Sequence, residues 1–393
     1  MNILIIAHFT RDFSATDNGR FSYLAKQLAK EHNVEIVTTS WSRGLRSKKK
    51  PVTLQYPFKI TFLDEPGYQK TVSLKRFYSH RIWGKNLKKY LESIPKPDVI
   101  YCAIPSLTGP GYVADYCEKN NIRFIIDVQD LWPEAFKMVF NVPIISDLVF
   151  NPFNKLANKA YSKADGICAV SMTYVDRALS VNRKVKSGNT VFLGTNLSTF
   201  DEYASQPAKL KKQDNEVWLA YCGTLGSSYD LTCVFDALEI IAHKGIPYRF
   251  IIMGSGPKRE EFEHYAKAKK LDTVFTGRLE YSEMCAQLCE CDICVNPIMH
   301  NAAQSITNKH GDYASSGLPV VSTQENEEYR NLVEEYHMGF NCHNNDAADL
   351  AEKIERLILD ENLRKEMGAN ARRCAEEKFD RKNSYKALIS EIL

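Results

Sequence analysis

The sequence predicts an α/β chain of two doubly wound, parallel-sheet, Rossmann-like domains. Three observations predict it. Apolar strand-like runs alternate with helix-length amphipathic segments, one polar stretch divides that alternation into halves, and glycine-bearing turns follow the strands of the second half. With 393 residues, 44% of them hydrophobic, the chain is long enough for two cores.

In chain order the strand-like runs are NILIIA, VEIVTT, DVIYCA, RFIIDV and GICAVS, then VWLAYCG, YRFIIMG, DTVFTG, DICVNP and LPVVST. Their near-continuous apolarity suits strands covered on both faces. Between them lie amphipathic segments such as FSYLAKQLAKEH, LTCVFDALEIIAHKG and KREEFEHYAKAKKL, the crossovers that parallel strands require. The polar stretch Ser198 to Glu216 reads as the boundary, which sets a first domain at 1–200, a linker at 201–216 and a second domain at 217–378.

No run of about 18 apolar residues is present to span a bilayer. The opening MNILIIAHFTRDF enters a strand-like run without a basic leader, so a cytoplasmic location is expected. Eleven irregularly spaced cysteines suit a reducing compartment. Cys285, Cys289, Cys291 and Cys294 do not form two separated knuckles, so they read as small buried apolar residues and no metal is assigned.

Residues 1–120 carry 19 Lys/Arg against 10 Asp/Glu, a surplus of nine in a chain whose net charge is +3. The acid-free segment Val72 to Leu91 holds much of it. Leu74, Phe77, Tyr78, Trp83, Leu87 and Leu91 recur at helical spacing between Lys75, Arg76, Arg81, Lys85, Lys88 and Lys89. Two readings stand: a surface helix with solvated lysines, or a basic helix lying on an anionic membrane face. No nucleic-acid module accompanies the charge, so no nucleic-acid partner is assigned.

Open parallel sheets bind ligands at the carboxyl ends of their strands, which directs attention to the strand-to-helix loops. YCGTLGSSYDL places Gly223, Thr224 and Gly226 after the first strand of the second half, and MGSGPKREEF places Gly254 and Gly256 after the next. Such glycines admit backbone amides to a phosphate at a helix N-terminus. In SITNKHGDYASSGLPVV, Lys309 and Asp312 lie three residues apart on one expected helix face, a pairing suited to a ligand with phosphates and hydroxyls.

The series of a Gly loop, GSGP, GRL and NK-x-x-DY-x-x-x-GLPVV resembles the donor-binding half of family 4 glycosyltransferases. DVQDLWPE, Asp127 to Glu134, resembles the DLWPE motif of members that build bacterial capsular and O-antigen polysaccharides. The resemblance spans essentially the whole chain and implies the GT-B fold, two domains facing a central cleft, with a C-terminal helix, 379–393, completing the first. It implies a retaining, metal-independent hexosyl- or N-acetylhexosaminyl-transferase. The nucleotide sugar is then a co-substrate and no cofactor is needed.

Residue by residue, the resemblance puts Asp312 on the donor ribose, Lys309 beside the diphosphate with Asn308, and Gly223 and Thr224 at the phosphate loop. Leu279 and Arg278 in the GRL turn would meet the nucleobase and diphosphate. Gln304 stands where the family often has an acid; it can hydrogen-bond a sugar hydroxyl but is no carboxylate nucleophile. Asp130 would orient the acceptor hydroxyl, with Glu134 as the alternative and a buried structural carboxylate as the other reading.

On the acceptor side the resemblance sets Gly19, Arg20 and Trp132, with Gly19 turning the loop after the first strand and Arg20 pairing with an acceptor phosphate. A polyprenyl-diphosphate-linked glycan as acceptor would give Arg20 and the basic segment 72–91 a shared purpose, favouring peripheral docking on the inner face of the plasma membrane. The alternatives are a sugar-nucleotide 2-epimerase of the same fold and a non-catalytic subunit.

Overall fold

The computed structural model describes the chain except residues 14–18, 43, 50, 53, 71–72, 135–144, 214–215 and 301–305, together with the side chains of 145–149. Two compact units result: Met1–Phe192 with Tyr385–Leu393, and Leu193–Ser384.

The first unit contains β1 (Asn2–Ile6), β2 (Asn33–Thr39), a short antiparallel ribbon of β3 (Trp41–Ser42) and β4 (Ser47–Lys48), β5 (Lys59–Leu63), β6 (Val99–Ile104), β7 (Arg123–Val128), β8 (Gly166–Ala169) and β9 (Asn189–Thr190). Seven of these form one parallel sheet in the order β5-β2-β1-β6-β7-β8-β9. Ile5 lies opposite Ile36 on one side and Tyr101 on the other, and every residue of β6 is buried. That burial on both faces is why the runs are apolar without alternation. Tyr385, Leu388 and Ile392 of the terminal segment join Ile3, Ile5, Leu24 and Tyr101 in this core.

The second unit holds β10 (Trp218–Cys222), β11 (Arg249–Met253), β12 (Thr273–Gly277), β13 (Ile293–Asn296), β14 (Val320–Ser322) and β15 (Gly339–Asn341), all parallel in the order β12-β11-β10-β13-β14-β15. Each sheet starts in its middle and reverses direction there, between β1 and β6 and between β10 and β13. These are the switch points where an open parallel sheet leaves a crevice at its carboxyl edge.

The two-unit α/β architecture is the one expected, and three details differ. The unit boundary falls at Phe192/Leu193, because Ser198–Glu216 is not a bare linker. Its first part forms helix Leu197–Ala204, which buries Leu197 and Phe200 and is clamped by the Arg372–Asp201 pair at 2.6 and 2.8 Å. Gln287 then holds Leu210 through both its backbone groups. Further on, the chain rejoins the first unit at Tyr385 rather than at 379.

The basic helix runs over Leu74–Ser93, with Ser73 accepting from the Arg76 amide at its start. Its buried face is Arg76, Ser79, His80, Trp83, Gly84, Leu87 and Leu91, whereas Leu74 and Tyr78 are 86% and 59% exposed. The expected stripe is therefore rotated. Two glycines set the packing: a Cβ on Gly109 would lie 2.4 Å from the Trp83 ring, and one on Gly84 3.0 Å from Thr108. Helices Leu74–Ser93 and Thr108–Asn120 approach on that small-residue seam.

Candidate functional site

At the carboxyl edge of the second unit, the Tyr313 hydroxyl accepts from the Cys222 amide at 2.8 Å and donates to the Val295 carbonyl at 3.2 Å, tying β10 to β13 across the switch point. The chain then turns at Gly223, whose φ of +155° and nearness to the Tyr221 hydroxyl leave little room for a side chain. Gly223 and Leu225 donate to the carbonyls of Met253 and Ser255, both at 3.0 Å. A Cβ on Gly254 would sit 1.8 Å from the Gly223 carbonyl oxygen, and one on Gly256 2.2 Å from that of Leu225. Glycine at 254 and 256 thus serves loop-to-loop contact, whatever it adds at a phosphate. Thr224 is exposed beside the turn.

Lys309 enters from the second residue of helix Asn308–Ser315. It is only 8% exposed, and its Nζ has no hydrogen-bond partner among the described residues. Nζ lies 4.0 Å from the centre of the Tyr229 ring and 5.3 Å from that of Tyr221. Burial lowers its pKa from 10.5 to about 7, against a small opposing effect of Cys222. The partial positive charge of the helix N-terminus acts in the same direction.

The helix start is fixed by a reciprocal pair. His310 Nδ1 accepts from the Thr307 amide at 2.9 Å, leaving Nε2–H to donate to Gln324 Oε1 at 2.6 Å. Burial lowers the pKa of His310 to about 3, so the ring is neutral. Asn296 donates to Ser322 and Gln324 at 3.0 Å, completing a polar network at the ends of β13 and β14.

Asp312 faces elsewhere. Its Oδ1 accepts from Thr195 at 3.0 Å and Tyr281 at 2.8 Å, so the one-face pairing expected for Lys309 and Asp312 is replaced by two divergent anchors. Asn308 and Leu279 are half-buried and Arg278 is exposed after the left-handed Gly277. Gln304 lies outside the described residues.

At the carboxyl edge of the first unit, Asp130 Oδ2 accepts from Trp132 Nε1 at 3.0 Å, and the Arg76 guanidinium lies 4.4 Å over the Trp132 ring. Glu134 pairs with Arg177 at 2.5 Å, and its other oxygen is buried without a hydrogen-bond partner among the described residues. Gly19 has φ −82° and ψ 142°, a conformation open to any residue.

Arg20 requires correction. It is 5% exposed, grips Asp127 through two bonds of 2.8 and 2.9 Å, and also donates to the Val191 and Phe192 carbonyls. It is a core clamp rather than a surface phosphate ligand. Its position at a helix start looked exposed in the sequence because Asp127 is 107 residues away.

The same unit also holds a cluster that sequence reading missed. His8 stacks on Trp83 at 4.0 Å, and its ring bonds Ser106 at 2.7 Å and Glu65 at 2.9 Å. Burial lowers the His8 pKa; at Glu65 burial acts upward, but bonds from His8, Ser79 and Thr39 outweigh it and hold the carboxyl low. With His80, these form the one grouping among the described residues whose ligand atoms, all within 4.8 Å, could hold a metal. The fit is poor: Lys49 and Arg76 both act on His8 as cations, and Glu65 already accepts from His8, Thr39 and Ser79. No spacing pattern links residues 8, 65 and 80.

Residues 203–374 match the family model Glycosyl transferases group 1. That segment is similar to a glycosyltransferase group 1 domain. The matched segment coincides with most of the second unit and includes Tyr221, Gly223, Tyr229 and Lys309.

Among curated relatives, the chain is 28% identical over 165 residues to the Campylobacter jejuni GalNAc-alpha-(1->4)-GalNAc-alpha-(1->3)-diNAcBac-PP-undecaprenol alpha-1,4-N-acetyl-D-galactosaminyltransferase, covering 39% of this chain and 44% of that protein. The chain spans less than half the length of the curated relatives it matches. Among solved structures, Anabaena HepE in complex with UDP and glucose superposes with a TM-score of 0.70 at 15% identity, over 99% of this chain and 98% of that one. WaaG, a glycosyltransferase involved in lipopolysaccharide biosynthesis, gives 0.69 at 13% identity over 99% and 98%. The chain has the GT-B fold.

Proposed function

We propose that this chain is a retaining, metal-independent glycosyltransferase that moves a hexosyl or N-acetylhexosaminyl group from a nucleoside diphosphate sugar to a lipid-linked glycan in bacterial surface-polysaccharide synthesis. The observation that carries the reading is Lys309: a buried amine without a hydrogen-bond partner, at a helix N-terminus beside the Gly223–Thr224 turn, inside a group 1 domain. A diphosphate there would meet the amine, the turn and the first-turn amides, which together stabilise a leaving diphosphate without an ion. The UDP complexes of HepE support a uridine nucleotide as donor carrier, and the undecaprenol-linked substrate named for the Campylobacter relative supports a lipid-linked acceptor.

Asp130, half-buried at the carboxyl edge of the first unit, is the group proposed to orient the acceptor hydroxyl, with Trp132 fixing its rotamer. Retention then follows from attack on the face the diphosphate leaves, a donor phosphate oxygen taking the acceptor proton. Glu134 is less suited, because Arg177 already engages it.

Peripheral docking is proposed for the exposed face of helix Leu74–Ser93, where Leu74 and Tyr78 stand among Lys75, Arg81, Lys85, Lys88 and Lys89. Among the described residues no helix is long and apolar enough to cross a membrane.

The deciding experiment incubates the protein with UDP-sugars and an undecaprenyl-diphosphate-linked glycan, with and without chelator, and reads product and anomeric configuration by NMR. Transfer with retained configuration, insensitive to chelator, is expected. Turnover of the donor without acceptor would indicate the epimerase, and nucleotide binding without any turnover a binding subunit.

A further inference from the structure

We propose that donor binding is coupled to proton uptake: Lys309 is an uncharged amine in the nucleotide-free protein and takes one proton from solution as the nucleoside diphosphate binds. This rests on the donor-site reading above and adds a charge state and a pH dependence to it.

An ammonium carries three donors and no acceptor capacity, and burying one without a partner is among the costliest arrangements a side chain can adopt. Among the described residues, the groups facing Lys309 offer no carboxylate. From β10 come the Tyr221 ring and the Cys222 thiol, which burial keeps protonated; from the following turn comes the Tyr229 ring. On its own helix His310 is neutral, and Asp312 is engaged by Thr195 and Tyr281. The helix N-terminus adds positive potential. All of these favour the free amine while no anion is present, and its pKa of about 7 agrees.

A diphosphate reverses the balance. Its charge beside Nζ, in a water-poor site, makes the ammonium the stable form, so R–NH2 plus H+ from the buffer becomes R–NH3+ paired with phosphate oxygen. When the nucleoside diphosphate leaves, the proton returns to solvent. An arginine at the same place would hold its charge permanently.

The test is titration calorimetry with UDP at pH 8.0 in buffers of different ionisation enthalpy. The expected result for the parent protein is uptake of about one proton per UDP, with affinity falling about tenfold per pH unit above neutrality. Lys309→Arg should bind UDP with uptake near zero and a flat pH profile. UDP binding by the parent without proton uptake would overturn the proposal while leaving the donor-site reading intact. Failure to bind UDP or GDP at all would instead overturn the donor-site reading. Independently of nucleotide, the 13Cε resonance of Lys309, assigned by its absence in Lys309→Arg, should titrate near 7; a midpoint above about 10 overturns the proposal.

Discussion

Replacing Lys309 with methionine separates the cost of burying this amine from the packing of its stem. Methionine keeps an unbranched chain against the Tyr221 and Tyr229 rings and removes only the ionisable head. Holding the pKa at about 7 rather than 10.5 corresponds to about 5 kcal/mol at about 1.4 kcal/mol per pH unit.

The sign follows from proton counting. Between pH 7 and 10.5 the unfolded chain holds a proton on this lysine that the folded chain lacks, so parent stability rises with pH across that window. Lys309→Met should therefore be more stable than the parent at pH 7, by about 2–4 °C of melting temperature per kcal/mol in a unit of this size, with the gain vanishing near pH 10.5. Differential scanning calorimetry at both pH values would read it. A variant less stable than the parent at pH 7, or a gain independent of pH, would refute the reasoning. The same variant should lose UDP affinity, stability having been exchanged for function at a strained site.

Three further outcomes are expected. Arg20→Met leaves the fully buried Asp127 carboxylate without its guanidinium and should cost about 3–5 kcal/mol in urea denaturation; Arg20→Met with Asp127→Leu should recover much of it. Gly254→Ala drives a methyl group into the Gly223 carbonyl, so a loss of about 1–3 kcal/mol with weakened UDP binding is expected by thermal shift with and without nucleotide. Neutralising Lys85, Lys88 and Lys89 to Gln should reduce sedimentation with phosphatidylserine vesicles by roughly 1 kcal/mol per charge at low salt. Unchanged sedimentation there would return the helix to a solvated surface.

The periodicities of this sequence by themselves determined the α/β class, the division into two sheets and the edge at which a site should lie. Continuous apolar runs such as VIYCAI can be buried on both faces only in a parallel sheet, and glycines after strands mark carboxyl-edge turns. The helix starts at Thr307 and Ser73 came from the structure, although capping acts within four residues of chain.

Tertiary structure decided the rest, because long-range partners leave no trace in spacing. Arg20 is a clamp and not a surface cation owing to Asp127, 107 residues on, and Asp312 turns from Lys309 because Thr195 and Tyr281 hold it. The His8–Glu65–His80 cluster exists because β1, the segment after β5 and helix Leu74–Ser93 converge on one sheet edge. Lys309 itself was legible as a lysine in a motif. Its burial, its missing partner and hence its charge are properties of the rings and backbone around it, which only folding brings to within 4.0 Å.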